Sequence, residues 1–249
     1  MCQVMGIVNV TPDSFSDGGQ FFKPEEAIRR AKNLLADGAD IIDLGGESTR
    51  PGATPISWEE EWKRIEPVLL GLVSSVSRPK SCISVDTYHP ETAAKAIAAG
   101  AHIINCVYAE PIPEMLKLLE GNDVELVMPW RNKESSFSKS GWEAASPLAG
   151  RLYLDPMIGF GTTREEDVEL LRSVPELAKR GRVLVGASRK RIVKKLVGSE
   201  GGVGKSVGGN VAIAVWAALN GASVVRVHDV KETVQALRVI EQLKGEGER

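Results

Sequence analysis

The sequence predicts an α/β fold, a single closed (β/α)8 TIM barrel, and three observations carry that expectation. Eight short runs rich in β-branched residues recur along the chain, helical segments separate them, and the spacing never breaks into a Pro/Ser/Gly linker. The runs cover residues 4–8, 40–44, 82–85, 102–105, 124–127, 151–154, 182–185 and 223–227. Such runs joined by helical crossovers call for parallel strands, and eight of them fit a closed barrel better than an open doubly wound sheet. A length of 249 residues suits one barrel, so residues 1–249 read as one domain.

The helices announce themselves between the runs. Lys23-Pro24-Glu25-Glu26 and Ser57-Trp58-Glu59-Glu60-Glu61 place proline or acids in a first turn, where the helix dipole favours them. Gly38, Gly100 and Gly221 follow helical stretches at positions suited to a left-handed cap. Residues 131–150, between runs five and six, are rich in Ser, Lys and Gly and too short for a crossover with a full helix, so a shortened fifth β-to-α crossover is expected. Trp58, Trp62, Trp142 and Trp216 read as packing residues.

Composition excludes several classes. Hydrophobic residues make up 43% and charged residues 26%, ordinary for a globular chain. A formal net charge of -2 provides no global field for nucleic acid or an anionic membrane, so any phosphate must be held locally. Cys2, Cys82 and Cys106 match neither a disulfide framework nor a zinc pattern, and a reducing, cytoplasmic setting is the simplest reading. The first residues lack a basic region before their short apolar run, so no signal peptide is expected. Gly201-Gly202-Val203-Gly204-Lys205-Ser206 hints at a P-loop, but Ser199 stands where the first glycine is required and no strand leads into it.

The chemistry gathers at the strand tips. Asn9, Asp43, Asp86, Asn105 and Asp155 each fall at or just beyond the C-terminal end of a predicted strand, the rim where barrel active sites are built. A helix cap is an equal reading for any one of them, but five together point to a shared ligand. Asp86 and Asp155 suit a flat heterocycle that presents adjacent N–H donors, such as an aminopyrimidinone, and Asn105 would add a mixed donor and acceptor or serve as a turn residue. The Gly45-Gly46-Glu47-Ser48-Thr49-Arg50-Pro51-Gly52 loop offers hydroxyls and a guanidinium to an anion. Arg226 and His228, one residue apart at the end of the last strand, point the same way and can bind an anion together. Lys190 sits at a helix start, where the dipole disfavours a cation, which argues for a functional role. His89 and His102 read as structural.

Taken in order and spacing, several motifs resemble the dihydropteroate synthase family of pterin-binding enzymes. They are Asn9-Val10-Thr11-Pro12-Asp13-Ser14-Phe15-Ser16-Asp17-Gly18-Gly19, the stretch from Asp43 to Gly52, Ser84-Val85-Asp86-Thr87, Ile103-Ile104-Asn105, Leu154-Asp155-Pro156 with Ile158-Gly159-Phe160-Gly161, Ser188-Arg189-Lys190, and Arg226-Val227-His228-Asp229. The resemblance covers nearly the whole chain. It implies condensation of 6-hydroxymethyl-7,8-dihydropterin pyrophosphate with p-aminobenzoate for folate synthesis, in a homodimeric enzyme of a family that is a sulfonamide target, without nucleic-acid or membrane partners. Asp86, Asn105, Asp155, Phe160 and Lys190 would hold the pterin, and Asn9, Thr49, Arg50, Arg226 and His228 the pyrophosphate, with Mg²⁺ near Asn9. Phe15, Arg50, Pro51, Phe160 and Lys190 would form the p-aminobenzoate pocket. Asp86, Asp155, Lys190 and Asp13 would serve the chemistry, in which pyrophosphate leaves before the arylamine attacks.

Four departures from the family pattern qualify the resemblance. Cys106 replaces an aspartate after Asn105, which would loosen the pterin cradle. Met128-Pro129-Trp130-Arg131 replaces a histidine, methionine and glycine, so Trp130 or Arg131 would reshape the pterin pocket. Thr162 stands for a lysine, and Arg191 for a small residue, where it would intrude on the aromatic site. Competing readings are a pterin-binding paralogue without synthase activity, a pterin-dependent methyltransferase, and an unrelated barrel enzyme with a phosphate site.

Overall fold

A computed structural model of the chain describes residues 2–11, 23–48, 53–76, 81–130, 146–198 and 206–244. Eight parallel strands close into a barrel in sequence order: β1 (Gln3–Asn9), β2 (Ile41–Gly45), β3 (Cys82–Asp86), β4 (Ile103–Asn105), β5 (Glu125–Pro129), β6 (Leu152–Asp155), β7 (Arg182–Val185) and β8 (Val224–Val227). Register runs unbroken from Met5 opposite Ile41 around to Val4 opposite Val225. Each predicted run is a strand, with bounds shifted by two residues or fewer.

Helices wrap this barrel: α1 (Pro24–Ala36), α2 (Trp58–Val73), α3 (Pro90–Ala98), α4 (Ile112–Leu119), α5 (Arg164–Arg172), α6 (Val174–Ala178), α7 (Arg191–Val197), α8 (Val207–Leu219) and α9 (Val230–Leu243). Pro24 opens α1, and Ser57 caps α2 by accepting from the Glu60 N–H at 3.4 Å. Gly38, Gly100 and Gly221 adopt φ of 100°, 100° and 94°, the left-handed caps expected of them. The described part of the β5–β6 connection is a 3₁₀ helix, Ser146–Arg151. Sequence reading did not separate the two helices, α7 and α8, that share the β7–β8 crossover.

Strand alternation splits the core in two. Met5, Ile41, Ile103, Val127, Tyr153, Leu184 and Val224 fill the barrel interior, whereas Val4, Val8, Ile42, Leu44 and Ile104 face the helices. Truncating one of these large side chains, Ile41 for instance, would cost about 2–5 kcal/mol in lost transfer energy and cavity. The apolar plug forms a floor, and the polar tips of the inward-facing rows stand above it. Trp62 packs on the outer core as expected, with Lys95 Nζ 5.8 Å from its ring centre. Trp216 does not: 37% exposed, it lies on an apolar outer face. Trp142 and residues 199–205 lie outside the described residues.

Candidate active site

Above the plug, register sets Asn9 beside Gly45, Gly45 beside Asp86, and Asp86 beside Asn105 across four strands. A methyl group built on Gly45 would lie 3.9 Å from both Asn9 Oδ1 and Asp86 Oδ2, so these side chains flank one space. At its base is Asp43, fully buried within β2. Its Oδ1 accepts from the Ser84 hydroxyl at 2.6 Å, and its Oδ2 accepts from Asn105 Nδ2 at 3.2 Å and from Arg226 Nε at 2.6 Å. Arg226 then donates through Nη2 to Asp86 Oδ2 at 2.6 Å, so one guanidinium joins carboxylates from neighbouring strands.

This network refines the expected roles. Asn105 commits its amide nitrogen to Asp43, and its buried Oδ1 has no hydrogen-bond partner among the described residues. It therefore offers a ligand an open acceptor, while one of the two amide hydrogens is spent on Asp43. Arg226, expected beside His228 at an anion, is seated between Asp43 and Asp86. His228 turns instead to Ser188: its N–H donates to Ser188 Oγ at 3.2 Å, and its Nδ1 lies 3.2 Å from the same oxygen.

Across the mouth, Asp155 ends β6 and accepts from the Met157 N–H at 2.7 Å. The following turn carries positive φ at Met157 (63°), Gly159 (78°) and Gly161 (63°). A side chain at Gly159 would meet Lys190 Cδ at 2.8 Å, so glycine here both permits the turn and admits the lysine. Lys190 Nζ donates to the Ile158 carbonyl at 2.6 Å and stands 4.2 Å from the centre of the Phe160 ring. Its own turn is held by Asn210, whose Oδ1 accepts from the N–H of Arg189, a residue strained at φ 60°. Asp229 completes that brace, accepting from Arg189 Nη2 at 2.8 Å and from Asn210 Nδ2 at 2.7 Å.

Electrostatics ties the two sides together. Burial pushes the Asp86 carboxyl up, to about 7; Arg226 opposes the shift, while Asp43 and Asp155 add to it. Burial pulls the Lys190 ammonium down, to about 8, against the support of Asp155, Asp167 and Asp86. Register from Asp86 through Asn105 to the inward Val127, and from Val127 to Tyr153 two residues before Asp155, turns both carboxylates into one mouth. Burial likewise raises Glu61 to about 7, eased by the Thr87 hydroxyl that donates to it at 2.6 Å.

Asp13, Phe15, Thr49, Arg50 and Pro51 lie outside the described residues. The stem of the second loop is braced by α2 and the β3–α3 turn: Arg64 Nη1 donates to the Gly46 carbonyl at 3.0 Å, and the Tyr88 hydroxyl donates to Glu47 Oε1 at 2.9 Å. His89 precedes α3 without a side-chain cap bond, its Nε2 3.6 Å from Glu47, and His102 accepts from the Ile83 N–H at 3.1 Å, both structural positions as expected.

Arg131 lies outside the described residues, and Trp130 and Arg191 land away from where they were expected. Trp130 points outward, sharing a small cavity with Pro156, Leu170, Ser173 and Leu177 under the Arg180 guanidinium, so it does not reshape the mouth. Cys106 is buried in the outer core, its S–H donating to the Tyr108 carbonyl, and Asn105 is steadied by Asp43 instead of by a neighbour in sequence. Arg191 is exposed and reaches the Thr162 carbonyl at 3.4 Å. Sequence reading placed Asp43 at the rim without a role, although a carboxylate inside Ile41-Ile42-Asp43-Leu44 signals a buried partner. It missed Asp167, whose only signal is its place one turn before the buried Leu171.

The chain matches the family described as pterin binding enzyme over residues 5–146 and 139–228. It is 39% identical over 259 residues to the dihydropteroate synthase of Escherichia coli strain K12, an alignment that covers 96% of this chain and 90% of that one. It is similar to the Xanthomonas albilineans dihydropteroate synthase solved with 4-aminobenzoic acid, at TM-score 0.85 and 40% identity over 97% of this chain and 93% of that one. The structure of that enzyme with 7,8-dihydropteroate aligns at TM-score 0.84 and 38% identity, over 97% and 93% of the two chains.

Proposed function

The chain belongs to the dihydropteroate synthase family of pterin-binding enzymes, and from that premise we propose how its residues condense 6-hydroxymethyl-7,8-dihydropterin pyrophosphate with p-aminobenzoate. It is a transferase: the methylene–oxygen bond to pyrophosphate breaks, a methylene–nitrogen bond to the arylamine forms, and the amine proton is released. The observation that carries the reading is the convergence of Asp86, Asn105, Asp155 and Lys190 on one mouth, three acceptors and one cation around a space floored by apolar side chains.

The pterin's amino-pyrimidinone edge would be held by Asp86, Asp155 and Asn105 Oδ1, with Lys190 donating to a ring oxygen or nitrogen and Phe160 walling off the aromatic substrate. Loss of pyrophosphate leaves a cationic methylene that the dihydropterin delocalises, and carboxylates fixed beside it stabilise that charge without reorganising. Asn9, Thr49, Arg50, Arg226 and His228 would face the leaving pyrophosphate, while Asp13, Phe15, Arg50 and Pro51 on the first two loops would enclose p-aminobenzoate. No protein nucleophile is required.

Among the described residues no three His, Cys, Asp or Glu side chains are grouped to hold a metal, and Asn9 offers one neutral oxygen. That donor set fits a Mg²⁺ ion that keeps its waters and arrives bound to the pyrophosphate. Such an ion would supply charge neutralisation on the leaving group.

Residues 1–249 would form one pterin-binding domain, cytoplasmic by virtue of free Cys2, Cys82 and Cys106, with small-molecule substrates as partners. No helix among the described residues is long and apolar enough to cross a membrane. A homodimer is supported by the apolar face around Leu196, Val197, Trp216 and Leu219, all exposed beside a groove of about 400 Å³. A sulfonamide, which shares the arylamine of p-aminobenzoate, would compete for its pocket.

The deciding assay follows pyrophosphate release and dihydropteroate formation from the two substrates. Turnover that disappears in Asp86→Ala and Lys190→Ala is expected. Pterin binding without product would leave a binding protein in place of a synthase.

A further inference from the structure

We propose that Asp167 is a positioning residue for Lys190 and Phe160, fixing from behind the turn on which the lysine is seated and supporting its charge. The inference rests on Lys190 being a pterin ligand.

Asp167 is 1% exposed in the first turns of α5, on the face that Leu171 also buries. Its Oδ1 accepts from the Gly159 N–H and from the Thr162 hydroxyl, each at 2.6 Å. These two bonds clasp the stretch between β6 and α5 that needs clasping, because three of its residues sit at positive φ. Lys190 lies directly on that stretch: Nζ is anchored on the Ile158 carbonyl, and the stem passes over Gly159, the residue whose N–H Asp167 holds. Thr162, where the family carries lysine, provides a hydroxyl short enough to fold back onto the carboxylate.

A loop clasp needs only an acceptor, which a neutral amide also provides. Asp167 goes further, because its Oδ2 is buried with no hydrogen-bond partner among the described residues, a costly arrangement unless a nearby cation compensates it. The cation whose charge it would support is Lys190, whose stem lies over the Gly159 that Asp167 holds. The charged groups facing the ammonium are Asp155 from β6, Asp86 from β3 and Asp167 from α5, with Arg226 from β8 opposing them. Asp167 alone among these carboxylates lies behind the pterin-side wall, so it would support the charge without competing for the ligand.

The test is Asp167→Asn, which keeps the acceptor and the shape but removes the charge. In the free protein, lysine side-chain NMR, assigned with Lys190→Arg, should show the Lys190 titration falling by about half a unit or more. Calorimetry with 6-hydroxymethylpterin should show binding lost at correspondingly lower pH. Thr162→Val, which leaves the charge in place and removes one clasping bond, should weaken pterin binding several-fold with the Lys190 titration unmoved. A folded Asp167→Asn protein that titrates like the wild type, or a Thr162→Val protein that binds pterin undiminished, would overturn the proposal. Failure of the wild type to bind pterin would instead sink the functional reading, and the NMR titration would still judge whether Asp167 supports Lys190.

Discussion

Both ends of the barrel interior hold an arginine against a carboxylate, and they differ in balance. At the N-terminal end, Arg182 from β7 donates to Glu125 Oε1 at 2.7 Å and to the Tyr153 hydroxyl at 3.0 Å, with its guanidinium 3.9 Å from the Tyr153 ring centre. One cation meets one anion beside an aromatic face. At the C-terminal end, Arg226 and Lys190 meet Asp43, Asp86 and Asp155, an excess of carboxylate that burial makes worse. The floor is neutralised and inert, whereas the mouth is left short of positive charge and donors, which a protonated heterocycle edge and a cationic methylene can supply.

The severest way to break that contrast is at Asp43, which serves Ser84, Asn105 and Arg226 at once. Asp43→Ala should lower stability by about 3–5 kcal/mol in chemical denaturation, because it strands a buried guanidinium and two further donors. Activity should vanish even at temperatures where the variant remains folded, since Arg226 and Asn105 would lose their aim. An Asp43→Ala protein as stable as the wild type would mean that Asp86 alone suffices to hold Arg226.

Lys190 separates stability from function. Because burial depresses its pKa to about 8, the unfolded chain binds more protons than the folded one between about 8 and the ordinary lysine range. Its contribution therefore becomes more favourable as pH rises through that window, and at neutral pH the charged group is a burden on the fold. Lys190→Met should thus raise stability on the order of 1 kcal/mol at neutral pH, less the lost bond to Ile158. It should also cut kcat/KM by about 10²-fold or more. Asp86 acts with the opposite protonation: raised to about 7, it makes the folded chain bind more protons between the ordinary carboxylate range and that pH, so stability falls as pH rises through that window.

A pH profile of kcat/KM sharpens the same point. Pterin capture needs ionised Asp86 and protonated Lys190, so the profile should be a bell, its acid limb raised above the ordinary carboxylate range and its alkaline limb lowered below the ordinary lysine range. Asp86→Asn should flatten the acid limb, and Lys190→Arg the alkaline one. A broad plateau reaching well below pH 7 in the wild type would mean that Arg226 keeps Asp86 ionised despite its burial.

The barrel was legible in the sequence because parallel strands buried on both sides read as unmistakable apolar runs, and because Asn9, Asp86, Asn105 and Asp155 interrupt those runs at their ends. The partnerships were not legible. Asp43 and Arg226 are 183 positions apart, and only closure of β8 onto β1 brings them together. Asp167 sits on a helix, where an acid in the first turns reads as a response to the dipole and its burial shows only in three dimensions. Trp130 misled for a related reason. It follows β5 at the rim, but strand alternation turns it outward, and that parity depends on a register no single sequence displays.

The smallest expected effect lies at the floor, and it tests the other half of the contrast. Arg182 and Glu125 keep side-chain exposures of 33% and 21%, so water screens the pair and its Coulomb gain is modest. Glu125→Gln retains an acceptor for Arg182, while the Tyr153 hydroxyl and ring remain in place. Stability should change by about 1 kcal/mol or less, and kcat, both KM values and the pH profile should not move. If the bell instead shifted, charge at the floor would be felt through the apolar plug of Met5, Ile41, Val127 and Leu184. The mouth's poise would then belong to the whole barrel interior and not to its own carboxylates.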